Sequence, residues 1–103
     1  MKIGRVIGTV VAPVKHPFYE GKKILLVQPE DPFGHSKGAP VVAVDRAQAG
    51  VGDKVLIMAE GSSARFLFED DFAPVRTLVV GVIDFVEIEG RYTYPAEGQT
   101  GPA

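Results

Sequence analysis

The sequence predicts an all-β fold, a small five-stranded barrel with one short helix. Short apolar runs rich in Val, Ile and Leu recur along the chain, and these residues suit pleated strands. Between the runs, 12 glycines and 8 prolines supply turn positions. The chain has 103 residues, which is enough for one hydrophobic core and therefore for one domain. A barrel suits so small a sheet because it leaves no long edge strand open.

The predicted strands follow one another as residues 2–14, 23–28, 41–44, 54–59 and 78–89. Residues 50–53 have the composition of a tight turn into the fourth strand. Ser62 or Ser63 can cap a short helix over 62–68, because a serine hydroxyl accepts a hydrogen bond from a free first-turn amide. Residues 95–103 combine Gly, Pro, Ala and polar side chains. They are predicted to form a flexible tail after a folded domain of residues 1–94.

The fifth predicted strand is apolar on both of its faces. Leu78, Val80 and Val82 alternate with Val79 and Ile83 at the period of two that a strand requires. A barrel wall needs only one apolar face, so the other face must be covered by something else. The predicted helix or a loop of the same chain is one cover, and a second subunit is the other. The small size of the chain favours the second subunit.

Composition excludes several classes of protein. Lys and Arg number 11 against 13 Asp and Glu, so the net charge of −2 argues against a nucleic-acid binder that neutralises phosphates. The absence of cysteine excludes disulfide frameworks, zinc–thiolate clusters and thiol nucleophiles. No apolar run approaches the roughly 18 residues of a membrane span, and the start lacks a signal-peptide core. These observations predict a cytosolic protein without a membrane partner.

Few residues are candidates for catalysis or metal binding, and each has a structural alternative. His16 and His35 fall in predicted loops. Two histidines without cysteine fall short of the three or four ligands of an ordinary metal site, so no metal and no cofactor is predicted. Ser63 lacks the second glycine of a nucleophile elbow, because Arg65 stands there. Helix capping therefore explains the serines better than catalysis, and no enzymatic activity is predicted.

Asp84 is the one acidic residue inside a predicted apolar strand. A buried carboxylate needs a partner, and Arg65 and Arg76 are the nearest candidates in sequence. The alternative is a catalytic acid, but no second catalytic group accompanies it. The sequence therefore favours a buried structural ion pair at Asp84.

Five segments of the chain, taken together and in order, match one family of proteins. They are residues 4–12, 21–27, 42–45 together with 49–53, 61–65 and 79–84, and the run Gly61-Ser62-Ser63-Ala64-Arg65 is the most distinctive. The sequence resembles the EutN/CcmL family, the pentameric vertex proteins of bacterial microcompartment shells, including carboxysomes. The sequence departs from the usual family pattern at Gln48, Asp53 and Arg76. The contacts that these positions make at the subunit interface therefore do not follow from the resemblance.

The resemblance implies a barrel similar to oligonucleotide-binding folds that assembles into a homopentameric ring. Such a ring closes the vertices of a cytoplasmic shell built otherwise from hexagonal shell proteins, which are the implied partners. The resemblance also implies that residues 61–65 lie at the subunit contact near the fivefold axis, with Arg65 bonding across it. Ala49, Gly50, Gly52 and Asp53 are implied to lie at the interface or in a turn.

A second reading of the same fold stays open. Five-stranded barrels also bind single-stranded nucleic acid or small ligands. The acidic net charge and the placement of most aromatic residues in predicted loops count against a nucleic-acid platform.

Overall fold

Five strands of the computed structural model close into a barrel, and two further strands form a separate hairpin. The structure describes residues 1–13, 17, 20–58 and 77–95. Within these ranges the strands are β1 (Lys2–Thr9), β2 (Ile24–Glu30), β3 (Val41–Asp45), β4 (Lys54–Met58), β5 (Leu78–Val82), β6 (Val86–Ile88) and β7 (Arg91–Tyr94). The order around the barrel is β1-β2-β3-β5-β4, and β6 pairs with β7. The predicted five-stranded barrel is confirmed.

The barrel closes because its strands are mostly antiparallel and locally bent. β1 pairs antiparallel with both β2 and β4, so it lies between them. β5 lies antiparallel to β4 and parallel to β3, which it meets where Val44 is opposite Leu78. The pairing register shifts between Val6 and Gly8 of β1. Such a bulge sharpens the local twist and helps a small sheet curl.

The core lies inside the barrel and consists of small and medium aliphatic side chains. Its buried members come from all five strands and from the turn before β4: Val6, Leu25, Val27, Ala43, Ala49, Val55, Ile57 and Val79. Gly4 allows β1 and β2 to approach closely, because a Cβ at this position would lie 2.6 Å from Val27 Cγ1. Close packing of this kind leaves little room for added volume.

The fifth predicted strand, residues 78–89, is divided in the structure. β5 ends at Val82, a bend includes Asp84, and β6 begins at Val86. The apolar alternation of this segment therefore belongs to two strands in two different sheets. The predicted first strand is also too long, because β1 ends at Thr9. The predicted helix over 62–68 and residues 96–103 of the predicted tail lie outside the described residues.

In the parts of the chain that the structure describes, no helix has the length and hydropathy to cross a lipid bilayer.

Candidate functional site

The predicted site residues fall in three places, and the structure describes two of them. Residues 61–65, including Arg65, lie outside the described residues, and so does Arg76. The other two places are the turn before β4 and the bend that contains Asp84.

The turn over residues 50–53 is held by its own hydrogen bonds and fastened to β1. Asp53 N donates to Gly50 O at 3.0 Å, and Asp53 Oδ2 accepts from Gly50 N at 2.8 Å. Gly52 adopts a left-handed φ of 96°, which favours glycine. Gly52 N donates to Val6 O at 2.8 Å, and Val6 N donates to Asp53 O at 2.9 Å. The predicted turn is therefore present, and it projects Val51, whose exposed fraction is 64%.

Ala49, the first residue of the same group, is a core residue of its own chain. Its side chain is fully buried against the barrel core. Because the barrel already covers it, Ala49 belongs to the turn and core rather than to an outer contact surface.

The loop after β3 is held by hydrogen bonds to the carboxylate of Asp45. The sequence analysis did not identify Asp45 as a residue that fixes this loop. Asp45 Oδ1 accepts from Ala47 N, and Oδ2 accepts from Ala49 N, both at 2.9 Å. Lys23 Nζ lies 3.4 Å from Asp45 Oδ2 and donates to Ala49 O. The carboxylate thereby fixes the path that leads into the turn before β4. Asp at the end of a strand, followed by free amides, is the sequence signal for such an arrangement.

The structure does not bury Asp84 within the single chain. Asp84 lies in the bend after β5 and is exposed, because the strand that was predicted to carry it ends at Val82. Both candidate partners, Arg65 and Arg76, lie outside the described residues. The expected ion pair at Asp84 therefore stays a prediction.

A different ion-pair cluster, which sequence reasoning missed, lies on the outer wall of the barrel. Lys54 Nζ is 2.9 Å from Glu30 Oε1, and the two side chains are only 3% and 5% exposed. Arg5 Nε lies 3.6 Å from Glu30 Oε2. The ring of Tyr94 covers the ammonium at 4.8 Å from Nζ to the ring centroid. Arg5 and Lys54 are opposite each other on β1 and β4, so the sheet register brings the cations together.

The loop that follows β2 is organised by Asp31. Its Oδ1 accepts from Phe33 N at 2.9 Å and from His35 N at 3.0 Å, and its Oδ2 lies 3.2 Å from His35 Nδ1. The hydrogen bond from the His35 amide is the main reason why the pKa of Asp31 is lowered. In the described part of the chain, no three His, Asp or Glu side chains converge as metal ligands would. His16 lies outside that part.

Several large apolar side chains are exposed on the single chain. Phe85 and Tyr92 contact each other edge to face, with ring centroids 5.4 Å apart, and their exposed fractions are 43% and 51%. Val82, which ends β5, is 50% exposed. Val42 of β3 is 56% exposed. Val42 is the cross-strand partner of Leu26. Exposed apolar patches of this kind mark surfaces that a partner covers.

Comparison with known proteins identifies the relatives of this fold. The sequence profile of the family described as "Ethanolamine utilisation protein EutN/carboxysome" matches residues 1–84. The carboxysome shell vertex protein CcmL of Gloeobacter violaceus is 38% identical over 96% of this chain and 98% of its own length. The bacterial microcompartment shell vertex protein EutN of Escherichia coli is 36% identical over 91% of this chain and 98% of its own length.

Solved structures agree with the sequence matches. The structure of Gloeobacter violaceus CcmL superposes with a TM-score of 0.82 at 40% identity, covering 91% of this chain and 96% of that one. GrpN from Rhodospirillum rubrum, described as a pentameric microcompartment shell protein, superposes with a TM-score of 0.76 at 36% identity, covering 85% of this chain and 99% of that one. The barrel, its order of strands and the near full-length matches lead to one conclusion: the chain belongs to the EutN/CcmL family.

Proposed function

We propose that this chain is a structural subunit of a bacterial microcompartment shell, where five copies form a ring that caps a vertex. The observation that carries the proposal is the match, along almost the whole chain, with relatives that are named shell vertex proteins. The pentameric GrpN, which shares the barrel, supports five copies as the number. The site of action is the shell of such a compartment, in the bacterial cytoplasm.

The exposed apolar surface supports assembly into a ring. A cyclic ring with head-to-tail contacts requires two different patches on each subunit, one for each neighbour. The described residues offer two. One is Val42 with Leu26 on the outer face of β2 and β3, and the other is Val82 with Phe85 and Tyr92 beyond the far end of β5. Because β5 meets β3 only near Leu78, at the opposite end from Val82, the two patches stay separate.

Residues 61–65 belong to the proposed contact near the fivefold axis, and Arg65 is proposed to bond across it. The turn that carries Gly50, Gly52 and Asp53 is proposed to lie next to this contact, since it presents the exposed Val51. In this proposal, the charged partner of Asp84 comes from within the assembled ring. The proposed shell domain is residues 1–94, with residues 95–103 as a flexible tail.

The proposed role is architectural, without enzymatic activity, cofactor or metal. The family match supports it, because its members are named for their place in a shell rather than for a reaction. Hexagonal shell proteins are the proposed neighbours of the ring, since a vertex closes a surface tiled by other subunits.

Light scattering coupled to size exclusion tests the ring directly. Five copies of the 11.0 kDa chain give about 55 kDa for a closed ring. Val42→Asp places a charge in the β2–β3 patch and shifts the population toward monomer. Val42→Thr keeps the shape and the strand preference, so it serves as the matched control and retains the ring. A parent protein that runs at 11.0 kDa at micromolar concentration contradicts the proposal.

A further inference from the structure

A pocket lies on the outer wall of the barrel, beside the turn over residues 50–53. Its walls come from five separate parts of the fold. They are β1, the loop after β2, the turn over residues 50–53, β4 and β7, with the lining residues Arg5, Phe33, Gly34, Gly52, Lys54, Thr93 and Tyr94. The volume is about 470 Å³, which falls within the range of small-molecule sites.

The charges around this pocket do not balance. Among the residues that the structure describes, Lys54 and Arg5 share one carboxylate, that of Glu30, at 2.9 Å and 3.6 Å. Two cations against one anion leave one positive charge in excess. Lys54 and Glu30 are both buried, at 3% and 5% exposed, and pair one to one, so the surplus charge belongs to Arg5, whose side chain is 47% exposed. A half-exposed guanidinium that is only loosely paired is accessible to a second anion.

The ion pair itself is incompletely satisfied. Glu30 Oε1 is buried, and no residue that the structure describes donates a hydrogen bond to it. Lys54 Nζ is close enough, at 2.9 Å, but it meets the oxygen outside hydrogen-bonding angles. The pair is therefore a close electrostatic contact between two buried charges rather than a well-aligned hydrogen bond.

The rest of the pocket suits the body of an organic molecule. The ring of Tyr94 lies over the ammonium with its centroid at 4.8 Å, and the ring of Phe33 is 59% exposed at the rim. Gly34 has a left-handed φ of 89°, and a Cβ there would lie 3.7 Å from Lys54 Nζ. A side chain at this position would therefore contact the ammonium.

We propose that this pocket binds a small organic anion. A carboxylate or phosphate group lies against Lys54 and the outer edge of Arg5, and an apolar body packs on Phe33 and Tyr94. Arg5 is 47% exposed, so its guanidinium is accessible to an incoming ligand. A planar guanidinium beside an ammonium is a donor set that recognises carboxylate and phosphate oxygens. Binding of such an anion goes beyond the architectural role. Gly52, which also lines the pocket, belongs to the turn proposed to lie next to the subunit contact.

Saturation-transfer NMR on the assembled protein tests the site with defined probes. Benzoate carries the charge and the ring, benzamide carries the ring alone, and acetate carries the charge alone. Benzoate is expected to bind saturably and at least about tenfold more tightly than either of the others. Phenyl phosphate, measured in parallel, shows which anionic head group the pocket prefers.

Variants locate the binding. Arg5→Gln removes one donor from a half-exposed side chain and is expected to weaken benzoate binding about tenfold. Arg91→Gln removes an exposed cation from β7 outside the pocket, so it is the charge-matched control and leaves binding unchanged. Lys54→Met abolishes binding if it folds. If the Lys54→Met protein does not fold, the Arg5→Gln variant and the comparison of benzoate with benzamide still show whether the pocket binds the anion.

Three results would overturn the inference: no saturable benzoate binding up to about 10 mM, benzamide binding as tightly as benzoate, or an Arg5→Gln protein that binds like the parent. Light scattering on the same samples separates this outcome from the shell proposal. An intact ring without binding counts against the pocket alone, and a monomer that binds benzoate counts against the ring alone.

Discussion

Gly4 on β1 faces Val27 on β2 with no space for a methyl group between them. A Cβ at Gly4 would lie 2.6 Å from Val27 Cγ1 and 3.1 Å from Gln28 O. Val27 is a branched side chain in the centre of the core, so it cannot rotate away without losing its own packing.

Gly4→Ala is therefore expected to lower the free energy of unfolding by about 1–3 kcal/mol, the usual cost of overpacking. Gly8→Ala is the matched control on the same strand. The nearest atom to a Cβ at Gly8 is Leu26 Cβ at 3.9 Å, an ordinary contact distance. Urea denaturation of both variants compares the two positions. Equal stability of Gly4→Ala and the parent would contradict the close approach of β1 and β2.

Asp45→Ala is expected to destabilise the barrel by about 1–3 kcal/mol, because it leaves the partly buried amides of Ala47 and Ala49 without their acceptor. Lys23→Met removes the ammonium and keeps the carboxylate on both amides. Since Lys23 is 49% exposed, that change is expected to cost only about 0–1 kcal/mol. Thermal unfolding compares the stability of the Asp45→Ala variant with that of the Lys23→Met variant. Similar losses would show that the ion pair, and not the amide bonds, holds the loop.

The pKa of the Asp31 carboxyl is expected to lie below its ordinary value, chiefly because the backbone amide of His35 donates to it. His35→Ala keeps that amide, so most of the lowering remains. The folded-state pKa is below the unfolded one, so the contribution to stability is complete above the unfolded pKa. It is lost as the pH falls through the folded-state pKa. An NMR titration of the carboxyl carbon measures this, and an ordinary value in the parent would refute it.

Arg65→Ala is expected to weaken the ring or prevent folding, because truncating one partner of a buried charged contact costs about 3–5 kcal/mol. Arg65→Lys restores only part of the loss, since an ammonium lacks the planar fork of donors. Lys37→Ala is the control, because Lys37 is exposed in the loop after β2. Analytical ultracentrifugation across a dilution series compares them. A ring of Arg65→Ala as resistant to dilution as the parent would show that Arg65 lies outside the contact.

The barrel was predictable from sequence because its strands are short runs rich in Val, Ile and Leu, separated by segments that contain Gly or Pro. The division at Asp84 was not, since Val86 and Ile88 continue the alternation of β5. The hairpin turn between β6 and β7 places Glu89 and Gly90 at positive φ, 51° and 82°. This is the conformation of a two-residue hairpin turn, but Glu-Gly lacks the usual Asn-Gly signal.

The outer-wall cluster could not be predicted for a different reason. Lys54 begins an apolar strand and its sequence neighbours give no sign that its ammonium is buried. The ammonium of Lys54 is buried by Glu30 and Tyr94. Both residues are distant from Lys54 in sequence and contact it only after the barrel has closed. Local periodicity carries no information about such contacts.

The position of β5 determines when the chain can finish folding. β5 enters between β3 and β4, so a nascent chain that has emerged only through β4 holds two unpaired strand edges. Loop closure of this non-local kind is slow, and open edges are the parts of a β protein that aggregate. Emergence of Val82 from the ribosome is therefore the earliest point at which the barrel can close. Any pause in synthesis before that point lengthens the time during which the unpaired edges of β3 and β4 are exposed to other protein chains.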